Sequence, residues 1–221
     1  TPTVMDRFVS QTRAIFFYGD IKPGEFNDFR HAWNLNLAIP RTIFDKTGGF
    51  DEELRPCMYS DLENGWRMQK KGHRVLYCPE AQAIHYHRYT WESYLRREIM
   101  LGVMAPALWN TNEECFLAVF NKPLDRLVDE AATALAIDVP DFVRQYAYLE
   151  QEFASCEIEN SSVEHMESLY LAHLPAKRRA FRYGLLESSK DKQLPWQYRS
   201  DIANHAKLPT CLSEPVYSHN L

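Results

Sequence analysis

One stretch of the sequence, from residue 34 to residue 87, contains more local structural signals than the rest of the chain. Pro40 suits the first turn of a helix, because proline lacks the backbone N–H that would have no partner there. Gly48 and Gly49 suit the end of that helix, since glycine adopts the left-handed conformation of a helix end at no steric cost. The stretch therefore predicts a short helix that starts at Pro40, preceded by a strand over residues 34–39 with loosely alternating apolar residues.

A second helix is predicted to begin at Ser60. Ser60 and Glu63 have the spacing of a capping box, in which each side chain accepts a hydrogen bond from the backbone N–H of the other residue. Gly72 suits the end of this helix. A strand-like segment follows over residues 73–78.

In residues 81–87, alanine and histidine at the odd positions alternate with glutamine, isoleucine and tyrosine at the even positions, which predicts a further strand. Side chains at positions i and i+2 of a strand share one face, so His85 and His87 are expected to point to the same side. Imidazole is a common metal ligand, and this pair can offer one or two nitrogens to a metal ion. The alternative is one half-buried histidine beside one surface histidine at the end of a strand.

The segments on either side are predicted to be mainly helical. Residues 4–14 predict a short amphipathic helix, residues 15–18 a brief strand, and residues 19–28 a loop. Thr90 is placed to cap a long helix over residues 91–109. The candidates for the buried side of this helix are Tyr94, Leu95, Ile99 and Met104.

The C-terminal part of the chain shows helical spacing and no strand pattern. Two helices are predicted over residues 124–135 and 142–157, and a third follows a capping box formed by Ser161 and Glu164. Residues 190–221 contain three prolines and little periodicity, which predicts an irregular tail.

Composition excludes several classes of protein. Hydrophobic residues make up 45% of the 221 residues, enough for a substantial core. The net charge of −5 argues against nucleic acid as a partner. No apolar run approaches the roughly 20 residues that span a bilayer, and no signal peptide is visible.

The cysteines are odd in number, scattered, and without a CxxC pair, so they favour reduced thiols of a cytosolic protein over a disulfide framework or a zinc site. They are Cys57, Cys78, Cys115, Cys156 and Cys211.

Asp61 is the first candidate for chemistry. A carboxylate in the first turn of a helix lies near free backbone N–H groups that favour its ionised form, and an ionised carboxylate can act as a general base. The alternative is that Asp61 only complements the helix dipole. Asp51 belongs to an acidic cluster that, by itself, is typical of a solvated turn.

The order of these features resembles the acceptor half of a GT-A glycosyltransferase of the family-2 type, related to the galactosyltransferase C-terminal region. The resemblance covers roughly residues 1–110. It rests on five segments in order, namely residues 36–44, 48–52, 59–67, 71–72 and 79–87.

The resemblance implies a mixed α/β fold, the C-terminal half of a GT-A nucleotide-sugar transferase followed by an α-helical extension. The expected divisions are residues 1–114 for the partial transferase domain, 115–190 for the helical extension and 191–221 for an irregular tail. No acidic pair of the DxD type is present to hold a cation against a diphosphate, so the chain is expected to be the C-terminal part of a longer protein.

The resemblance also implies a function, the inverting transfer of a hexose from a UDP- or GDP-linked donor to a hydroxyl of a glycan or lipid-linked acceptor. Asp61 matches the catalytic base, although Ser60 replaces the glutamate that usually precedes it. His85, with His87 as a second candidate, matches a ligand of a divalent cation, Mn²⁺ or Mg²⁺. The positions that match the acceptor wall are Gly48, Gly49, Asp51, Trp66 and Arg67.

The resemblance further implies a cytoplasmic protein, with peripheral contact at the inner face of a membrane. Two alternatives remain open. One is a non-catalytic binding or assembly module derived from the same fold. The other is a small metal-dependent hydrolase that uses Asp61, His85 and His87.

Overall fold

The structure, a computed structural model, describes residues 2–16, 21–56, 58–137, 139, 141–156, 162–191 and 196–213. Over this part of the chain it contains ten α-helices. They are α1 (Val4–Gln11), α2 (Arg41–Thr47), α3 (Ser60–Lys70), α4 (Trp91–Thr111), α5 (Glu113–Phe120), α6 (Leu124–Leu135), α7 (Phe142–Ala154), α8 (Val163–Ser189), α9 (Trp196–His205) and α10 (Thr210–Ser213).

The mixed α/β GT-A fold expected from the resemblance is wrong. The structure is 66% helical and has a single two-stranded sheet among the described residues. The strands β1 (Phe26–Asn27) and β2 (Val75–Leu76) are antiparallel, with Phe26 opposite Leu76. Each strand of a sheet needs a hydrogen-bonded neighbouring strand. Two strands of two residues each are too small to form the central sheet of the expected fold.

The other predicted strands are also wrong in the described residues. Asn34–Asn36 forms a 3₁₀ turn, as do Phe29–His31 and Glu52–Leu54. Residues 81–87 are extended but have no strand partner. Residues 15–16 form no strand, and residues 17–20 lie outside the described residues, as does Cys57.

Helix α4 confirms the prediction of a long capped helix. The Thr90 hydroxyl accepts a hydrogen bond from the Ser93 backbone N–H at 3.1 Å, and the Ser93 hydroxyl accepts one from the Thr90 N–H at 2.9 Å. These reciprocal bonds satisfy two N–H groups that a helix start leaves free. All four side chains expected on the buried side of α4 are fully buried.

Helix α8 packs along α4 and forms the centre of the hydrophobic core. Two glycines allow this close approach. A Cβ added at Gly102 would collide with the backbone of Phe181 and lie 2.7 Å from the nitrogen of Leu185. A Cβ at Gly184 would collide with the Ile99 carbonyl. The two helix backbones therefore touch at a position where no larger residue fits.

The N-terminal helix joins the same core. Val4, Met5 and Phe8 of α1 are buried, and the Phe8 ring lies 4.8 Å from the Phe153 ring of α7, centroid to centroid. The capping box predicted at Ser161 lies outside the described residues. The described start of α8 is capped by Ser162 instead, whose hydroxyl accepts from the backbone N–H of His165.

The C-terminal segment, expected to be an irregular tail, contains α9 and α10 in its described part. Ala203, Ala206 and Leu212 are buried there. The Arg96 guanidinium of α4 donates hydrogen bonds to backbone carbonyls of α9, including that of Asn204 at 2.9 Å. The sequence pattern does not predict these helices, because contacts with a distant helix stabilise them and their own residues show little apolar periodicity.

Within the described ranges, no helix combines the length and the apolar character needed to cross a lipid bilayer.

Candidate functional site

A groove of about 840 Å³ lies on the N-terminal side of the molecule. Its walls are the segment around residues 33–40, one face of α3, and residues 73–85. Helix α3 contributes Gly65 and Met68 to the wall. A volume of this size is in the range of small-molecule sites in proteins.

Asp61 does not line this groove, but it lies on the helix that forms one of its walls. Residues 61, 65 and 68 are spaced i, i+4 and i+7 on α3, so Asp61 extends the helix face that Gly65 and Met68 present to the groove. The backbone of Asn34 also reaches Asp61, and both neighbours of Asn34, Trp33 and Leu35, line the groove. Asp61 is therefore placed where α3 meets the segment 33–40.

The environment of Asp61 opposes its ionisation only in part. Burial raises the pKa of its carboxyl group above the usual value. The backbone N–H of Leu62, which donates to the carboxylate at 2.9 Å, and the Arg97 guanidinium lower that pKa. Asp61 is thus a half-buried carboxyl with a raised pKa, held by helix N–H groups and facing an arginine.

The capping box predicted for Ser60 and Glu63 is wrong. Helix α3 begins at Ser60 itself, after Tyr59, and it has no side-chain cap. The Glu63 carboxylate accepts instead from Arg67 at 2.7 Å and from the Asn112 side chain at 3.0 Å. Glu63 is buried, so it forms a paired charge that connects α3 to the end of α4.

Arg67 and Trp66 hold α3 in place. The Arg67 guanidinium donates to the carbonyls of Thr47 and Gly49, at the end of α2. The Trp66 ring meets the Phe29 ring edge to face at 5.0 Å. Both residues therefore fix the position of the helix that carries Asp61.

The glycine turn has the geometry that the sequence predicts. Helix α2 stops at Thr47, and Gly48 and Gly49 have φ values of 88° and 69°, in the left-handed region. The Asn64 side chain donates to the Gly49 carbonyl at 2.8 Å, and Asp51 accepts from the Glu53 backbone N–H at 2.9 Å. None of the five positions expected to form an acceptor wall lines the groove.

His85 and His87 lie on the same side of the extended segment, as expected. Their rings stack at 5.8 Å with an interplanar angle of 15°, and both side chains are exposed. His85 lines the groove. No third His, Cys, Asp or Glu joins them among the residues that the structure describes. Two imidazoles without a carboxylate fit Mg²⁺ or Mn²⁺ poorly, because those ions prefer oxygen ligands.

Sequence reasoning missed a set of polar residues inside the helical core. Glu98 of α4 is buried, pairs with Arg97 at 2.7 Å, and lies near Lys177 of α8. Burial raises the pKa of the Glu98 carboxyl and lowers that of the Lys177 amine. The signal was present in the sequence, because Arg97 and Glu98 interrupt the otherwise apolar side of α4.

No protein-family model, no curated protein and no solved structure matches this chain. The functional assignment of the groove therefore depends on the geometry and chemistry of its residues.

Proposed function

We propose that the groove binds the acceptor of a glycosyl transfer reaction and that Asp61 is the general base that deprotonates the acceptor hydroxyl. The observation that carries this proposal is the position of Asp61, at the start of α3, the helix that contributes Gly65 and Met68 to the groove wall. The order of sequence motifs around Asp61 supports the same reaction class.

The environment of Asp61 suits a base. A general base works best when its pKa lies near the working pH, and burial moves the pKa of Asp61 upward from the usual value of an aspartate. The N–H of Leu62 fixes one carboxylate oxygen at 2.9 Å. The backbone of Asn34 also hydrogen-bonds to the carboxylate, and Arg97 stabilises the negative charge of its ionised form.

The donor is proposed to be a UDP- or GDP-linked hexose, and the acceptor a glycan or a lipid-linked sugar. The expected divalent cation stays a prediction, to be checked by titration of Mn²⁺ into the wild-type chain and the His85→Ala variant. Among the described residues the histidine pair offers a metal ion nitrogen ligands only, with no carboxylate beside them.

The location is proposed to be cytoplasmic, with contact at the inner face of a membrane. The described cysteines support a reducing compartment, since Cys78, Cys115, Cys156 and Cys211 form no disulfide with one another.

Acceptor-dependent release of nucleoside diphosphate tests the proposal. The full chain is incubated with UDP- and GDP-hexoses, Mn²⁺ and a panel of methyl glycosides. We expect glycoside-stimulated release that falls about 10²- to 10⁴-fold in Asp61→Asn, because the variant lacks the base. The matched control is Asp45→Asn, which removes an exposed carboxylate that pairs with Arg41 on α2. Equal turnover in Asp61→Asn, or no glycoside-stimulated release with any donor, would contradict the proposal.

A binding role is the second candidate, and one observation favours it. Residues 83–87 are extended, and their backbone groups make no hydrogen bond to any described residue. Ile84 and Tyr86 are 80% and 92% exposed. An open strand edge with apolar side chains pairs readily with another chain, here a second copy. Sedimentation of the wild type and Ile84→Lys checks this, since concentration-dependent dimers are expected only for the wild type.

A further inference from the structure

A second cavity, of about 430 Å³, lies between α4, α5, α6 and α8. Helix α8 forms its longest wall. The residues that α8 contributes recur at helical spacing and form one face, namely Leu174, Lys177, Arg178, Phe181, Arg182 and Leu185.

The cavity has an excess of positive charge. Its basic residues are Lys122, Lys177, Arg178 and Arg182, and its acidic residues are Glu98 and Glu130. Three of the four cations come from the single face of α8. Like charges on adjacent turns of a helix repel each other, so this face is unfavourable without a counter-charge.

Both acidic residues are already paired. The Glu130 carboxylate accepts from Lys122 at 2.5 Å and from Arg126 at 3.2 Å. Glu98 accepts from Arg97 at 2.7 Å. Neither carboxylate forms an ion pair with Arg178 or Arg182.

Arg178 and Arg182 have no hydrogen bond or ion pair with any described residue. Burial lowers the pKa of Arg182, and the neighbouring Arg178 lowers it further, while Glu130 acts in the opposite direction. Lys177 differs, because its amine donates to the Ala14 carbonyl at 2.7 Å. Two guanidinium groups on adjacent turns are therefore available to an incoming anion.

The rest of the cavity surface is apolar. It is formed by aromatic and aliphatic side chains from three helices, namely Phe120, Leu127, Ala131, Leu174, Phe181 and Leu185. A simple anion would leave this surface in contact with water. A ligand with an apolar body would cover it and gain about 25 cal/mol for each Å² removed from water.

We propose that this cavity binds the phosphate monoester of an apolar alcohol, with the phosphate on Arg178 and Arg182 and the apolar group against Phe120 and Phe181. Guanidinium groups bind phosphate through paired, charge-assisted hydrogen bonds. A volume of about 430 Å³ accommodates a phosphate with a six- to eight-carbon group and lies within the usual range for small-molecule sites.

Titration calorimetry of the full chain with phenyl phosphate tests this site. We expect binding, weaker binding of inorganic phosphate, and no binding of benzyl alcohol, because both halves of the ligand contribute. Arg178→Gln and Arg182→Gln should each weaken phenyl phosphate binding about tenfold or more. Arg144→Gln is the matched control, since Arg144 is exposed on α7 and pairs with Asp141.

Vesicles of phosphatidylcholine with and without phosphatidic acid identify the source of the phosphate. Binding to phosphatidic acid that Arg182→Gln weakens assigns the site to a lipid headgroup, whereas binding of phenyl phosphate alone assigns it to a small metabolite. The proposal is overturned if neither ligand binds, or if Arg144→Gln weakens binding as much as Arg182→Gln. Arg178→Gln keeps the test valid if Arg182→Gln does not fold, because Arg178 is exposed.

Discussion

The groove region and the helical core differ in the exposure and the pairing of their polar groups. In the groove region, residues 81–88 expose every side chain, and Tyr86 is 92% exposed. In the core, Tyr94 is fully buried only a few residues further along the chain, and even Glu98 is 2% exposed. The core pairs its charges internally, whereas the groove leaves its polar groups open to a ligand.

We infer from this difference that the core determines the stability of the protein and that the groove carries its chemistry. Helices α4 and α8 both contribute to the hydrophobic core, and α4 alone buries Trp91, Tyr94, Leu95 and Ile99. The groove region has only a small sheet, of two strands with two residues each, so its backbone groups are less constrained. Substitutions in the core are therefore expected to change the free energy of unfolding, and substitutions in the groove to change binding or turnover.

Gly102→Ala is expected to have the largest effect. The added methyl group meets the backbone of α8, which cannot move without separating the two helices. We expect a loss of about 3 kcal/mol in the free energy of unfolding, measured by chemical denaturation. Asn110→Ala is the matched control on the exposed side of α4 and should be neutral or slightly stabilising. An unchanged stability in Gly102→Ala would mean that the helices do not approach so closely.

His173 should make the core sensitive to acid. Burial lowers the pKa of this imidazole to about 4, from 6.5. The folded state thus favours neutral His173, so its stability is complete above pH 6.5 and is lost as the pH falls toward 4. The shift corresponds to about 3 kcal/mol, at about 1.4 kcal/mol per pKa unit.

Thermal unfolding of the wild type and His173→Asn between pH 8 and pH 4 measures this loss. The wild type should lose stability more steeply than the variant over this range. At pH 8 the two proteins differ only in packing, so the change in their difference with pH is the readout. Parallel curves would exclude His173 as the cause of acid sensitivity.

Glu98→Gln should have an intermediate effect. It replaces the charged acceptor of the Arg97 hydrogen bond with a neutral amide oxygen and leaves Lys177 without its nearest carboxylate. Leaving a buried charged group without its partner costs about 1–3 kcal/mol, and we expect a loss of that order by denaturation. Glu92→Gln is the matched control on the same helix, where the exposed pair with Arg96 contributes about 0.5 kcal/mol or less.

Asp61→Asn should have the smallest effect on stability, and in the opposite direction. Burial raises the pKa of Asp61, so the folded state favours its neutral form, and stability decreases as the pH rises through that raised value. Asparagine is neutral at every pH. The variant should therefore be more stable than the wild type at pH 7, and the gain should vanish below about pH 3, where the wild-type carboxyl is neutral in both states. A loss of stability at pH 7 would place Asp61 among the residues that hold the fold.

The core was largely predictable from the sequence. Thr90 and the apolar residues that follow it define α4, because capping and periodicity are local signals. The same holds for Pro40 and Gly48, which bound α2. The N-terminal strands were not predictable, since alternation describes an extended chain equally well whether or not a neighbouring strand pairs with it.

The candidate sites were predictable only in part. Asp61 was found from its place at a helix start, and the structure adds a groove whose wall includes other residues of the same helix. Arg97 lies 36 residues later in the sequence, and no local pattern connects it to Asp61. Glu63 does not form the expected capping box, because its carboxylate accepts hydrogen bonds from the charged Arg67 and from Asn112 instead. Such long-range partners depend on packing, which a sequence pattern does not encode.

Hydrogen exchange of the full chain, followed by mass spectrometry, tests the division between the two regions most directly. We predict that peptides from α4 and α8 exchange slowest, by global unfolding, and that peptides covering residues 83–87 exchange at nearly the rate of an unstructured chain. Protection of residues 83–87 equal to that of α4 would contradict the account, because their backbone groups would then be bonded in a way that this fold does not contain.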